Sequence, residues 1–205
     1  MIIFAVNFNF LLNLFYQIFI RIRNLLLYPT KEWAKIAEES DDQGTIYLRF
    51  IVPLLCLWAV ATIIGTWIAT PRELYSTGYV FYAIFKPLLA YSAGLFLSAF
   101  IINALLAQHI GYNDRNRTFA LIAYSSAIAC LIFITVAMIP YLSELLILSI
   151  YSGYIYWQGL SQIFKTEEQE RISYGLLSAL IILFIFALTY FFFNNFLLAL
   201  FKITL

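Results

Sequence analysis

Few residues in this chain could do chemistry, and their placing decides what kind. The single histidine, His109, stands beside Gln108 and two residues before Gly111. Metal ligation or proton transfer at a reacting atom needs several donors converging, which one imidazole at the end of an apolar run does not supply. No His-Glu-x-x-His, no nucleophile elbow and no phosphate-cradling glycine loop occurs. Cys56 and Cys130 fall inside apolar runs, where the commoner role is that of a small hydrophobe. Glu144, four residues past Pro140, is an acid between two apolar stretches. It belongs at an interface where snorkelling keeps it wet, and carrying a proton would require burial with a partner such as Lys86. Asn103, Gln158, Gln162, Asn194 and Asn195 suit hydrogen bonds between helices better than a substrate path. The expectation is a protein with no catalytic residue, no cofactor and no metal.

The elements that must position these residues are set by composition. The chain is 63% hydrophobic and 11% charged, whereas a soluble domain carries about a quarter charged residues. Lipid is therefore the expected solvent. A net charge of +1 offers no basic field for nucleic acid, which is excluded as a partner. Five windows lack any Asp, Glu, Lys, Arg or His, and they predict membrane-spanning helices over about 50–70, 87–108, 118–139, 145–164 and 172–195. Between Arg117 and Lys165, 47 residues hold one charge and are split by Ile139-Pro140-Tyr141 into two spans. Pro53 and Pro87 are expected in the first turn of the first and second spans, where a missing N–H does least harm. The fold class is all-α: a polytopic membrane protein, a bundle of five transmembrane helices (49–205) preceded by amphipathic interfacial helices (1–48).

In that amino-terminal part, residues 1–20 carry no charge and lack the basic start and cleavage site of a signal peptide. Asn9, Asn13, Gln17, Arg21 and Asn24 recur at spacings of 4, 4, 4 and 3, one polar stripe on a helix lying in the interface with the stripe toward water. A true span remains the alternative. Pro29 suits the first turn of a second helix whose Trp33, Ile36 and Ala37 share a face, with Lys35 placed to pair with Glu39. Asp41-Asp42-Gln43-Gly44 is turn chemistry.

Orientation follows from Lys and Arg in the loops. With the amino end cytoplasmic, that side holds Arg21, Arg23, Lys31, Lys35, Arg49, Arg115, Arg117, Lys165 and Arg171, against Arg72, Lys86 and Lys202 outside. Small residues four apart (Gly65/Ala69, Ala90/Gly94/Ser98, Ala123/Ala127, Ser149/Gly153, Gly175/Ala179) predict close helix packing.

The order Leu26-Leu27-x-Pro29-x-x-x-Trp33-x-x-Ile36-Ala37-x-Glu39, then Thr118-Phe119-Ala120, Tyr124-Ser125-Ser126, Pro140, Tyr151, Tyr154, Gly159-Leu160 and Lys165-Thr166, resembles the Yip (Ypt-interacting protein) domain family of five-span membrane proteins. Ala127 stands near where that family usually has a proline, and Gln158 where an arginine is common. The resemblance implies a non-enzymatic membrane adaptor or organiser. Eukaryotic relatives bind prenylated Rab-type GTPases in vesicle traffic through a long cytoplasmic amino tail; the short amino segment here looks more like the prokaryotic members, implying a bacterial inner membrane. The expected cytoplasmic interaction surface comprises Pro29, Trp33, Arg115, Arg117, Lys165 and Arg171, with Asn103, His109, Glu144 and Gln158 as intramembrane or interfacial polar residues. Expected partners are membrane lipid and other membrane proteins or a second copy, with any small-molecule ligand unknown. Alternatives are a small transporter or channel with Glu144, Lys86 and Asn103 along a path, a lipid-organising or scrambling protein, and a membrane enzyme acting on lipid.

Overall fold

The computed structural model describes residues 2–71, 76–109, 111, 113–164 and 168–203, leaving out the side chains of 2–11, 109, 168–171 and 173. Every regular element among them is helical. α1 (Ile2–Leu27) and α2 (Pro29–Glu38) form the amino-terminal pair. α3 (Gln43–Ile46), a π-helical turn (Tyr47–Ile51) and α4 (Val52–Ala69) run on without a break. α5 (Thr77–His109) and α6 (Arg115–Met138) follow; then a 3-10 helix (Pro140–Ile150) leads into α7 (Tyr151–Phe164), and α8 (Glu168–Phe201) closes the bundle.

Among the described residues four helices are long and apolar enough to cross a membrane: Gln43–Ala69, Thr77–Gln108, Arg115–Met138 and Tyr174–Phe201. The fourth expected span, 145–164, is instead divided between the 3-10 helix and the 14 residues of α7. The break before it lies where the sequence placed it. A proline disfavours α geometry in the residue ahead of it, and Ile139 takes φ −129°, ψ 84°, ending α6. Leu142 (φ −93°, ψ 26°) adds a kink inside the 3-10 segment.

Two helices start earlier than the charge-free windows. Asp42 caps the first: its carboxylate accepts from the Gly44 N–H at 3.1 Å and from the Thr45 hydroxyl, so the helix begins at Gln43 rather than near Phe50. Pro53 cannot donate to the carbonyl four residues back, and the chain ahead of it widens, with the Val52 N–H reaching the Tyr47 carbonyl. Pro87 lies inside α5, ten residues after its start, and not at its opening. Lys86 is accommodated there by aromatic rings: its Nζ lies 4.8 Å from the Tyr82 ring centroid and 5.0 Å from that of Tyr190.

Side-chain pairs give the directions. Gln43 Nε2 bonds the Arg115 carbonyl at 2.9 Å, Phe50 packs on Tyr124, and Trp58 packs on Phe133, so α4 and α6 run parallel. Tyr91 meets Ser126 while Phe96 meets Phe119, so α5 runs against α6. Tyr82 donates to Asn194 Oδ1 at 2.7 Å and Tyr91 packs on Phe186, so α8 runs against α5. Small residues permit the close approaches: a Cβ at Gly65 would overlap the Ala137 carbonyl oxygen, and one at Gly94 would lie 2.7 Å from Phe186. Gly153 meets nothing within 4 Å and is not used this way.

Candidate functional site

The site is built where α2 docks. Its apolar face holds Trp33 and Ile36, both buried, with Pro29 in the first turn. Trp33 lies against Gly159, where a Cβ would come within 2.6 Å of the indole, and edge-on to Tyr124 at 6.4 Å. Its Nε1–H donates to the Ile155 carbonyl at 3.0 Å, satisfying the one polar atom that burial strands. Tyr151 donates to the Leu26 carbonyl at 3.1 Å, tying the end of α1 to α7. Trp33, expected on the recognition surface, is thus fully buried: its ring is large enough to fill the gap over Gly159, and that burial outweighs a surface role.

The other side of α2 is charged. Glu32 and Glu39, seven residues apart and so two turns along one face, turn toward α1. Arg21 Nη2 donates to Glu39 Oε1 at 2.6 Å, and Nη1 lies 3.2 Å from Glu32 Oε1. Nη1 is at ion-pair distance without the alignment of a hydrogen bond. Asn24 donates to Glu32 at 3.1 Å, and Lys35 Nζ lies 3.7 Å from the same carboxylate. Lys35 therefore pairs with Glu32 and not with Glu39, which Arg21 takes. The guanidinium of Arg21 also sits 5.3 Å from the Tyr124 ring centroid. Burial alone would lower the Arg21 pKa, but the Glu39 hydrogen bond and the charges around it win, and it is raised. The polar stripe of α1 thus turns, at Arg21 and Asn24, toward α2 carboxylates and not simply toward water.

Between α1, α2 and the start of the first long helix lies a cavity of about 480 Å³. Arg21, Lys35, Arg49, Glu32, Glu39 and Asp41 supply its charges, and Leu14, Ile18, Ile20, Ile46 and Phe50 its apolar walls. A pocket of about 10 Å³ beside it, room for one water, adjoins Asn116, Arg117 and Tyr124. Binding of a polar group is what this arrangement can do. Among the described residues no cluster of three His, Cys, Asp or Glu could hold a metal ion.

The remaining candidate residues are dispersed. Arg115 is exposed at the start of α6, its guanidinium 5.9 Å from the Phe100 ring, and Arg117 Nε lies 3.4 Å from Asp114. Lys165 and the side chains of His109 and Arg171 lie outside the described residues. Asn103 is buried, donating to Asn113 at 2.9 Å and accepting from the Thr118 hydroxyl at 3.3 Å. Asn194 bonds across helices, but Asn195 bonds the Phe191 carbonyl of its own helix. Gln158 is half-buried on α7, and Glu144 is exposed on the 3-10 helix. Asn103 sits at the end of the bundle where α6 begins, and Lys86 at the opposite end with Asn194. These groups do not converge on one path. The charged groove itself escaped the sequence reading; its signal was the match between the α1 stripe and the seven-residue spacing of Glu32 and Glu39.

No curated protein and no solved structure matches the chain. The Yip1 domain model matches residues 23–189, a segment that begins in α1 and takes in Trp33, Glu39, Tyr124 and Gly159, the residues that build the α2 docking site. With most of its length covered by that match and several helices fit to cross a bilayer, the chain is a multi-pass membrane protein that belongs to the Yip1 domain family.

Proposed function

We propose that this protein is a non-enzymatic membrane adaptor or organiser that works through the cytoplasmic end of a five-span bundle. The observation that carries this reading is the docked α1–α2 pair: a rigid, charged surface fastened by Trp33 to the end of the bundle where α6 begins. Rigid attachment suits recognition, because little side-chain or loop ordering is left to oppose binding. The fifth crossing is the composite of the 3-10 helix and α7. Eleven residues at about 2.0 Å and fourteen at about 1.5 Å reach about 43 Å, more than a hydrocarbon core of about 30 Å. Nine of the twelve Lys and Arg residues then face the cytoplasm, with the amino end inside and the carboxyl end outside. The address that goes with this reading, on the resemblance of the short amino segment, is a bacterial inner membrane. Its partners are lipid and other membrane proteins or a second copy of itself.

Two measurements test this. Single cysteines at Asn116 and Tyr141, in a chain freed of Cys56 and Cys130, should label from opposite sides of the membrane, with Asn116 reached from the cytoplasm; labelling of both from one side would refute the topology. Photocrosslinkers at exposed α2 positions such as Lys31 should capture a protein or a second copy in native membranes; their failure to capture either would count against the adaptor reading.

A further inference from the structure

The charges lining the groove are not all matched to one another. Arg21 is held by Glu32 and Glu39, and Lys35 by Glu32. Arg49 and Asp41 line the same cavity, and no ion pair joins either of them to another described residue. They are set there by the chain itself. Asp41 lies in the connection between α2 and α3, just ahead of the capping Asp42, and Arg49 stands in the π-helical turn ahead of Pro53. The lining carries three cations and three anions, so it offers little net attraction to an anion or a cation alone. One open cation and one open anion in a neutral cavity match a ligand that carries both. The volume falls in the range of small-ligand sites. Apolar residues flank the polar stripe in the walls, Leu14 and the buried Ile18 on one side and Ile20 on the other, where the exposed Tyr16 and then Phe19 follow around the same helix. A hydrated solute has no use for that side, but an acyl chain does.

We propose that this groove binds a zwitterionic phospholipid headgroup that joins a phosphate to a primary ammonium, with Arg49 on the phosphate and Asp41 on the ammonium. The lipid enters along α1, its chains against Ile20, Tyr16 and Phe19. A guanidinium and a carboxylate each form charge-assisted hydrogen bonds with such a headgroup. A quaternary ammonium has no N–H to give Asp41, so the site distinguishes the two headgroups by hydrogen bonding as well as charge. The inference needs the membrane setting but not the adaptor role.

The test is native mass spectrometry of the delipidated, purified full chain offered equimolar phosphatidylethanolamine, phosphatidylcholine and phosphatidylglycerol. Phosphatidylethanolamine should be retained about tenfold more than either competitor, the effect expected of one charge-assisted contact. Arg49→Gln should lower its retention about tenfold. Asp41→Asn should do so too while raising phosphatidylglycerol retention, because the lining then carries a net positive charge; misfolding would not produce that gain. Lys31→Gln, exposed on α2 and outside the lining, should change nothing. Equal retention of the three lipids, or indifference to both groove substitutions, overturns the proposal. Soluble phosphoethanolamine displacing the lipid at concentrations equal to the lipid's own would overturn a lipid as the source. Loss of crosslinked protein partners with lipid selectivity intact would strike the adaptor reading alone.

Discussion

The Trp33 Nε1–H donates to the Ile155 carbonyl at 3.0 Å across 122 residues of sequence, and it joins the amino-terminal helices to α7. The carbonyl it uses already belongs to a helix, so the indole takes a second lone pair rather than breaking a helical bond.

Removing this contact should loosen α2 without unfolding the bundle. Trp33→Phe keeps most of the volume and loses the hydrogen bond, a cost of about 1 kcal/mol; Trp33→Ala leaves a cavity and should cost about 3–5 kcal/mol. Gly159→Ala drives a methyl into the indole and Leu121 and should resemble Trp33→Ala in effect. Limited proteolysis near Glu39–Asp42 in detergent should report all three as faster cleavage. Undiminished protection in Trp33→Ala would contradict this docking.

Gly65 and Gly153 offer a contrast between two glycines of one chain. Gly65→Ala should destabilise the bundle by about 1–3 kcal/mol, because the new methyl meets the backbone carbonyl of Ala137 and α4 and α6 must separate. Gly153→Ala meets open space on α7 and should be neutral or stabilising by up to about 1 kcal/mol. Circular dichroism during unfolding in a denaturing detergent measures the difference, and equal midpoints would show that α4 and α6 do not pack as described.

The Arg21 network is asymmetric in what its loss costs. Glu39→Gln keeps a hydrogen-bond acceptor, so it should cost less than Arg21→Met, which leaves the buried Glu32 with Lys35 at 3.7 Å and Asn24 at 3.1 Å. The expected difference is about 1 kcal/mol, discounted for the partial exposure of Arg21 and Glu39. Melting temperatures of the two variants decide it, and a lower value for Glu39→Gln would reverse the assignment.

Asp42 makes one contribution depend on pH. The Thr45 hydroxyl, and then the Gly44 N–H, hold its pKa below the usual carboxylate range. The folded value is the depressed one, so the cap's contribution is fully present above the ordinary aspartate pKa and is lost as pH falls through the depressed value. Protection of the Gly44 and Thr45 amides, taken relative to their intrinsic exchange rate at each pH, should therefore fall on acidification below about pH 4. Asp42→Asn, which caps without titrating, should remove that dependence; an unchanged pH profile in this variant would assign it elsewhere.

Sequence alone determined that lipid surrounds most of this chain and where four of its apolar helices lie, because the cost of a charge in hydrocarbon is large enough to be read residue by residue. It also determined the break at Ile139-Pro140, since a proline acts on its own neighbour. It did not determine that Pro87 lies within α5: the rings of Tyr82 and Tyr190 let Lys86 sit inside a helix that the charge count had begun after it. Nor did it give Glu39 to Arg21 over Lys35, because that choice depends on how α1 turns over α2. Trp33, Tyr124 and Gly159 are weak signals taken singly, and only the packed structure brings them together, with Gly159 leaving the space that the indole fills. The same packing leaves Asp41 and Arg49 facing one groove, a pairing of charges that tertiary structure alone decides because it depends on how three helices meet.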